Sequence, residues 1–276
     1  MIKNILVPVD FTEVSKNALD YVKQLARKVN CKVVLLHSSK LVLITNEVLD
    51  TIYTGLADDT EQVHHKIDAM IKQLNELGIP ADKKVVTGLL GDDIKDAVKE
   101  FDIDLIVTGT NGAQGADAFF FETTSVTIFK EVSCPVLIIP ANCNFRLIRK
   151  MMYATDFLEN DIIELKNVCE IASIFEAEVI VSHVYTNSDE LNKNKLALDL
   201  LTVSMKKWIS YSNISYKLFY NKSVQDGLEE NIEGLYIDML CMARSEKPFF
   251  KSIFSKSNTK LMAYHTRVPL LVMQAS

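Results

Sequence analysis

Short apolar runs alternate with amphipathic stretches along the chain. In the first half, "NILVPV", "KVVLLH", "KKVVTG", "LIVTG" and "PVLIIP" are strand candidates, and their lack of polar alternation suits strands buried on both faces. Between the first two, "VSKNALDYVKQLARKV" places Ala18, Tyr21, Val22 and Leu25 on one helical face, with Thr12 or Ser15 as the cap at its start. Gly78 closes a long second helix. Buried strands joined by helices predict a parallel, doubly wound α/β sheet, which takes its ligands beyond the carboxyl ends of the strands. Asp10 and Gly109 occupy two such ends.

The pattern is written twice. "NILVPVDFTEVSKNALDYVKQLARKVNCKVVLLHSS" matches "KMMYATDFLENDIIELKNVCEIASIFEAEVIVSHVY", so that Asp10–Phe11 recurs at Asp156–Phe157 and His37 at His183. The halves also close alike, with "SCPVLIIP" and "TRVPLLVM". A repeat this long predicts two tandem doubly wound domains, 1–142 and 147–276, each a five-stranded parallel sheet flanked by helices. The closing apolar strands are candidate sheet edges, which need covering. Pairing them with each other would make an intrachain pseudo-dimer; a further homodimer stays open.

Composition narrows the function classes. The chain has 276 residues and a formal net charge of −6, with no stripe of Lys and Arg, which argues against nucleic-acid binding. The opening "MIKNILVPVD" lacks a signal-peptide pattern, and no apolar run is long enough to span a bilayer. We therefore expect a cytoplasmic protein without stable membrane association. The five cysteines are scattered and lack metal-ligand spacing, as expected of reduced, buried thiols.

The candidate chemistry lies in "GTNGAQGADAFFFETT", which follows a buried-strand pattern. Gly109 and Gly112 allow backbone N–H groups to approach a phosphate, and Thr123 and Thr124 at a helix start add hydroxyl donors. The same residues also suit a plain strand-to-helix turn with a capped helix. His37 and His183 have no triad or metal partner pattern and read as strand-end histidines; His64–His65 read as surface residues of a helix. Phe119–Phe121 and Phe249, Phe250 and Phe254 occupy equivalent places in the two halves, lining a groove or packing under a loop. No P-loop, nucleophile elbow or HExxH is present.

Taken in order, "ILVPVDFTEVS", "VVLLHSS", "LIVTGTNGAQG" and "CPVLIIP" resemble the universal stress protein family in its tandem two-domain form. The resemblance implies an adenine nucleotide, ATP or AMP, with or without Mg²⁺. It places Asp10 near the adenosine and has Ser38 and the backbone around Val9 line the base pocket. The implied nucleotide-binding set is Pro8, Val9, Asp10, Ser38, Thr108, Gly109, Asn111, Gly112, Glu122, Thr123 and Thr124. Glu122 stands where ATP-binding members carry the third glycine of G-x2-G-x9-G-[ST]. A carboxylate about 5 Å from a phosphate charge costs about 1 kcal/mol in water-like surroundings and about 3 kcal/mol at an effective dielectric of 20. At a helix N-terminus the same carboxylate stabilises by about 0.3–1 kcal/mol, so it either weakens nucleotide binding or replaces the ligand's charge. In the second half the glycines are gone from "MARSEKPFFKSIFSKSNT", although Asp156 remains. The expectation is an adenine-nucleotide sensor or switch acting through its first domain on an unidentified protein partner. It is not an enzyme beyond slow, incidental ATP hydrolysis. The alternatives are a nucleotide-independent interaction protein with a vestigial pocket and a carrier of small apolar ligands.

Overall fold

The computed structural model describes residues 2–39, 41–45, 52–56, 60–110, 132, 134–141, 143–157, 161–243 and 267–273. Contacts divide the chain into two units, centred on Ile2–Thr108 and on Pro135–Ser276.

The first unit runs β1 (Asn4–Pro8), α1 (Glu13–Val29), β2 (Lys32–Ser39), β3 (Leu41–Thr45), β4 (Ile52–Leu56), α2 (Thr60–Glu76), β5 (Ala81–Thr87), α3 (Leu90–Glu100) and β6 (Leu105–Thr110). Its main sheet has the order β6-β1-β2-β5 and is parallel throughout, with Leu6 opposite both Val34 and Ile106. The central strands are buried on both faces, as their unbroken apolar runs require. Helix α1 buries Ala18, Leu19, Tyr21, Val22, Leu25 and Ala26. Each large member of that stripe contributes about 1.5–3 kcal/mol of apolar burial. Thr12 is its N-cap, with Oγ1 accepting from Ser15 N–H, and Asn30 ends it at a φ of 54°. Gly78, just past α2, has a φ of +75°, a conformation that costs glycine nothing. Strands β3 and β4 form a separate antiparallel hairpin that the sequence pattern did not reveal.

The second unit runs β7 (Val136–Pro140), β8 (Lys150–Ala154), α4 (Asp161–Phe175), β9 (Glu178–Tyr185), α5 (Leu191–Trp208), β10 (Ile214–Tyr220), α6 (Val224–Gly234), β11 (Met239–Ala243) and β12 (Leu270–Met273). Its strands follow the order β7-β12-β11-β8-β9-β10. All pairs are parallel except β7 with β12, where Val136, Leu137 and Ile138 lie antiparallel to Val272, Leu271 and Leu270. The last apolar run of the first repeat thus hydrogen-bonds to the last of the second, and the residues of both strands are buried.

A matching pair of carboxylates fixes where the sheets begin. Asp104 accepts the N–H groups of Lys3 and Asn4 at 2.7 and 2.9 Å, and Asp238 accepts those of Arg149 and Lys150 at 2.8 and 3.0 Å. Among the described residues, no helix is long and apolar enough to cross a membrane.

Candidate functional site

The site is built on the turn that leaves β1. Val9 N–H donates to Leu36 O at 2.8 Å, and His37 Nδ1 donates to Val9 O at 2.8 Å. Both backbone groups of Val9 are therefore engaged within the fold. Phe11 then takes a φ of 64°, and its ring lies 4.9 Å from that of His37. Lys66 Nζ of α2 sits 5.0 Å from the Phe11 ring centroid, a cation–π contact.

Asp10 is exposed, and its Oδ1 accepts from Thr12 N–H at 3.0 Å and the Thr12 hydroxyl at 2.6 Å. Asp10 N–H reaches Ser15 Oγ at 3.4 Å, and Ser15 N–H reaches Thr12 Oγ1 at 3.3 Å. The carboxylate thus braces the helix cap through one oxygen. Its Oδ2 makes no hydrogen bond among the described residues, so capping and ligand contact are compatible.

Ser38, at the carboxyl end of β2, donates to Asp93 Oδ2 in α3 at 2.5 Å, and both side chains are half-buried. Gly88 makes room for this pair, since a Cβ there would lie 2.9 Å from Asp93 Oδ1. Pro8 ends β1, half-buried, and Thr108 and Gly109 are buried in β6, which pairs with β1. Asn111, Gly112, Glu122, Thr123 and Thr124 lie outside the described residues. So do Phe119–Phe121, the segment 244–266 with its phenylalanines, and the Asp156-side residues 158–160.

The second unit repeats the frame of this turn and changes what fills it. Thr155 N–H donates to Ser182 O at 2.8 Å, His183 Nδ1 donates to Thr155 O at 2.8 Å, Phe157 has a φ of 56°, and its ring lies 4.5 Å from that of His183. The recurrent "DF" and His are therefore a structural set: the histidine holds the carbonyl that precedes the aspartate. Burial pushes the His183 imidazole below its ordinary value, partly opposed by the Thr155 carbonyl, which suits a neutral ring with a fixed Nδ1–H.

At the carboxyl end of β9, Val184 stands where the first unit has Ser38. Counting back equally from Asp238 and Asp104 puts Gly227 in the place of Asp93. A Cβ on Gly227 would come within 2.7 Å of Val184 Cγ1, so valine closes directly onto the glycine. The polar pair of one unit is an apolar contact in the other.

Beneath the turn the exchange runs the opposite way. Val7, Val9, Ser15 and Ala18 of the first unit correspond to Tyr153, Thr155, Asp161 and Glu164. Tyr153 OH donates to Asp161 Oδ1 at 2.8 Å, and the Thr155 hydroxyl donates to Asp161 Oδ2 at 2.5 Å. Glu164 is 1% exposed and neither carboxylate oxygen has a hydrogen-bond partner. Burial, then the neighbouring Asp161 charge, pushes its carboxyl up to about 7. Sequence periodicity missed this cluster; a position-by-position comparison of the repeats, Ala18 against Glu164, carries the signal.

Four of the five cysteines behave as small apolar groups, and Cys143 is only half-buried. Cys31, Cys134, Cys169 and Cys241 are buried free thiols, and burial raises all four, Cys31 to about 11 and Cys134 and Cys169 to about 12. Among the described residues, no three His, Cys, Asp or Glu side chains gather as metal ligands, and His64 and His65 are exposed on α2.

Residues 1–140 match the universal stress protein family. The chain belongs to that family. It is 23% identical over 154 residues to a universal stress protein of Methanocaldococcus jannaschii, covering 50% of this chain and 95% of that protein. A Bacillus subtilis universal stress protein is 25% identical over 151 residues, covering 50% of this chain and 99% of its own length. The crystal structure of a universal stress protein from Archaeoglobus fulgidus superposes over 99% of this chain and 98% of its own, with a TM-score of 0.73 at 14% identity. At that identity the likeness concerns the fold, and it extends over both units.

Proposed function

We propose that the first repeat of this universal stress protein binds an adenine nucleotide and acts as a cytoplasmic sensor or switch, while the second repeat has given up the ligand and serves as its structural partner. One observation carries this reading. Asp10, whose Oδ2 makes no hydrogen bond among the described residues, and the Ser38–Asp93 pair furnish polar groups at the carboxyl ends of β1 and β2, where doubly wound sheets take ligands. The equivalent place in the second unit is filled by Val184 against Gly227.

The nucleotide is ATP or AMP, with or without Mg²⁺. Glu122 makes binding weaker, or restricted to fewer phosphates, than in members with the third glycine. Binding shifts the protein between surface conformations by no more than its differential affinity for them. The protein is not an enzyme beyond slow, incidental ATP hydrolysis. A second reading, an interaction protein independent of nucleotide, draws on Val9, whose N–H and C=O are both committed within the fold.

The deciding experiment is a thermal melt with AMP, ADP and ATP, each with and without Mg²⁺. A nucleotide at 100 times its dissociation constant adds about 2.7 kcal/mol, a readily visible shift. A shift with any of them supports the switch, and their order reports what Glu122 does to added phosphates. No shift in protein shown to carry nothing co-purified overturns it in favour of the interaction protein.

A further inference from the structure

Helix α5 is apolar on two faces. Its inner face buries Leu201 and Met205. Its outer face carries Leu196 and Leu200, each 62% exposed, and Val203, 69% exposed. The spacing i, i+4, i+7 puts these three within about 60° of one another around the helix axis, a continuous stripe pointing away from the core. Single exposed apolar residues need no explanation, whereas an aligned set does.

The first repeat provides an internal control. Its corresponding helix is α2, and aligning the buried Val63 and Leu74 of α2 with the buried Asn194 and Met205 of α5 sets the register. The outer positions of α2 are then His65, Ala69 and Lys72. The same place in the same fold is polar or small in one copy and a leucine–leucine–valine stripe in the other. The fold does not require the stripe.

Charge selects the occupant. The stripe ends on Lys193 and Lys207, seven residues before and after Leu200 and on the same side of the helix. Lys195 and Lys206 flank it, and Asp199 is the sole acid within α5. A second copy of this helix, laid antiparallel about Leu200, would set Lys193 against the copy's Lys207 at both ends; laid parallel, each lysine would meet itself. Like charges directly opposed are destabilising, so self-pairing is disfavoured. The complementary surface is a helix with an apolar stripe of similar length and carboxylates about 10 Å to either side of its centre.

We propose that the outer face of α5 docks an acidic amphipathic helix of a partner protein, with Leu196, Leu200 and Val203 as its apolar contact and Lys193 and Lys207 as its charged ends. The surface is independent of the nucleotide site and stands whether or not that site is live.

Trp208 closes α5, is 64% exposed and is the chain's one tryptophan, so its fluorescence reports on this face alone. The full-length protein is titrated with a synthetic amphipathic helix bearing leucines at i, i+4 and i+7 flanked by glutamates, and with the same peptide carrying lysines instead. The expected result is a saturable Trp208 change with the glutamate peptide that weakens as salt is raised and is at least tenfold weaker with the lysine peptide. Leu200→Glu lowers the affinity at least tenfold while leaving the melt unchanged, and Lys193→Glu with Lys207→Glu reverses the peptide preference. Equal binding of both peptides, or of neither, overturns the proposal. So does a sedimenting dimer that Leu200→Glu splits, which makes the occupant a second copy. Stronger partition onto phosphatidylglycerol vesicles than onto the peptide overturns it in favour of a lipid surface.

Discussion

Ala18 and Glu164 occupy the same place on the first helix of their repeats, and the difference between them is a buried carboxyl. Its folded value of about 7 lies above the ordinary 4.5, so the protonated form is the one the fold favours. The stability Glu164 contributes is fully present below the unfolded value and is lost as pH rises through about 7. The chain should therefore melt at a lower temperature at pH 8 than at pH 6. Glu164→Gln should flatten that difference and raise the melting temperature at pH 8; parallel pH profiles of the two proteins would refute the assignment. Glu122 poses the opposite question in the loop proposed to hold the nucleotide. Removing a carboxylate that costs about 1–3 kcal/mol against phosphate charge gives about a 5- to 150-fold gain in ATP affinity. Titration calorimetry of Glu122→Gly should show a gain in that range, and an unchanged affinity means that the charge is not what limits binding.

Elements show most clearly what could be read from residues alone. All five runs of the first half are strands: four are largely buried and leave nearly unbroken hydrophobic sequence, whereas β5 is half-buried and carries lysines among its valines. The Ala18, Tyr21, Val22 and Leu25 face is buried as its period requires, and Thr12, not Ser15, caps the helix. The β3–β4 hairpin escaped because its short apolar strands resemble a loop between better-marked elements. The Ser38–Asp93 pair escaped for another reason: 55 residues separate its members, and only the sheet brings them together. Glu164 was invisible because a carboxylate in a helix reads as facing solvent, burial of an unpaired charge being costly. The packing that replaces the polar pair in the second unit is itself testable. In a helix interior, Gly→Ala normally gains about 1 kcal/mol. At Gly227 the added methyl would meet Val184 at 2.7 Å and Asn221 at 2.9 Å, and overpacking of that kind costs about 1–3 kcal/mol. Gly227→Ala should therefore destabilise in urea melts, and Val184→Ala in the same chain should restore part of the loss. A stabilised single mutant would show that the contact yields.

For the molecule as a whole, the antiparallel pairing of β7 with β12 ties the end of one repeat to the end of the other. A fragment cut at the repeat seam, 147–276, lacks β7 and leaves the apolar β12 with an open edge. Light scattering should show this fragment aggregating where the full-length protein stays monodisperse; equal behaviour would mean that the β12 edge needs no cover. The same ladder has a consequence in time. On the ribosome, β7 emerges roughly 130 residues ahead of β12, which at about 5–20 residues per second is a wait of about 7–25 s. Each newborn chain carries an unfinished apolar edge for that interval, whereas a chain refolding from denaturant holds both strands from the first instant.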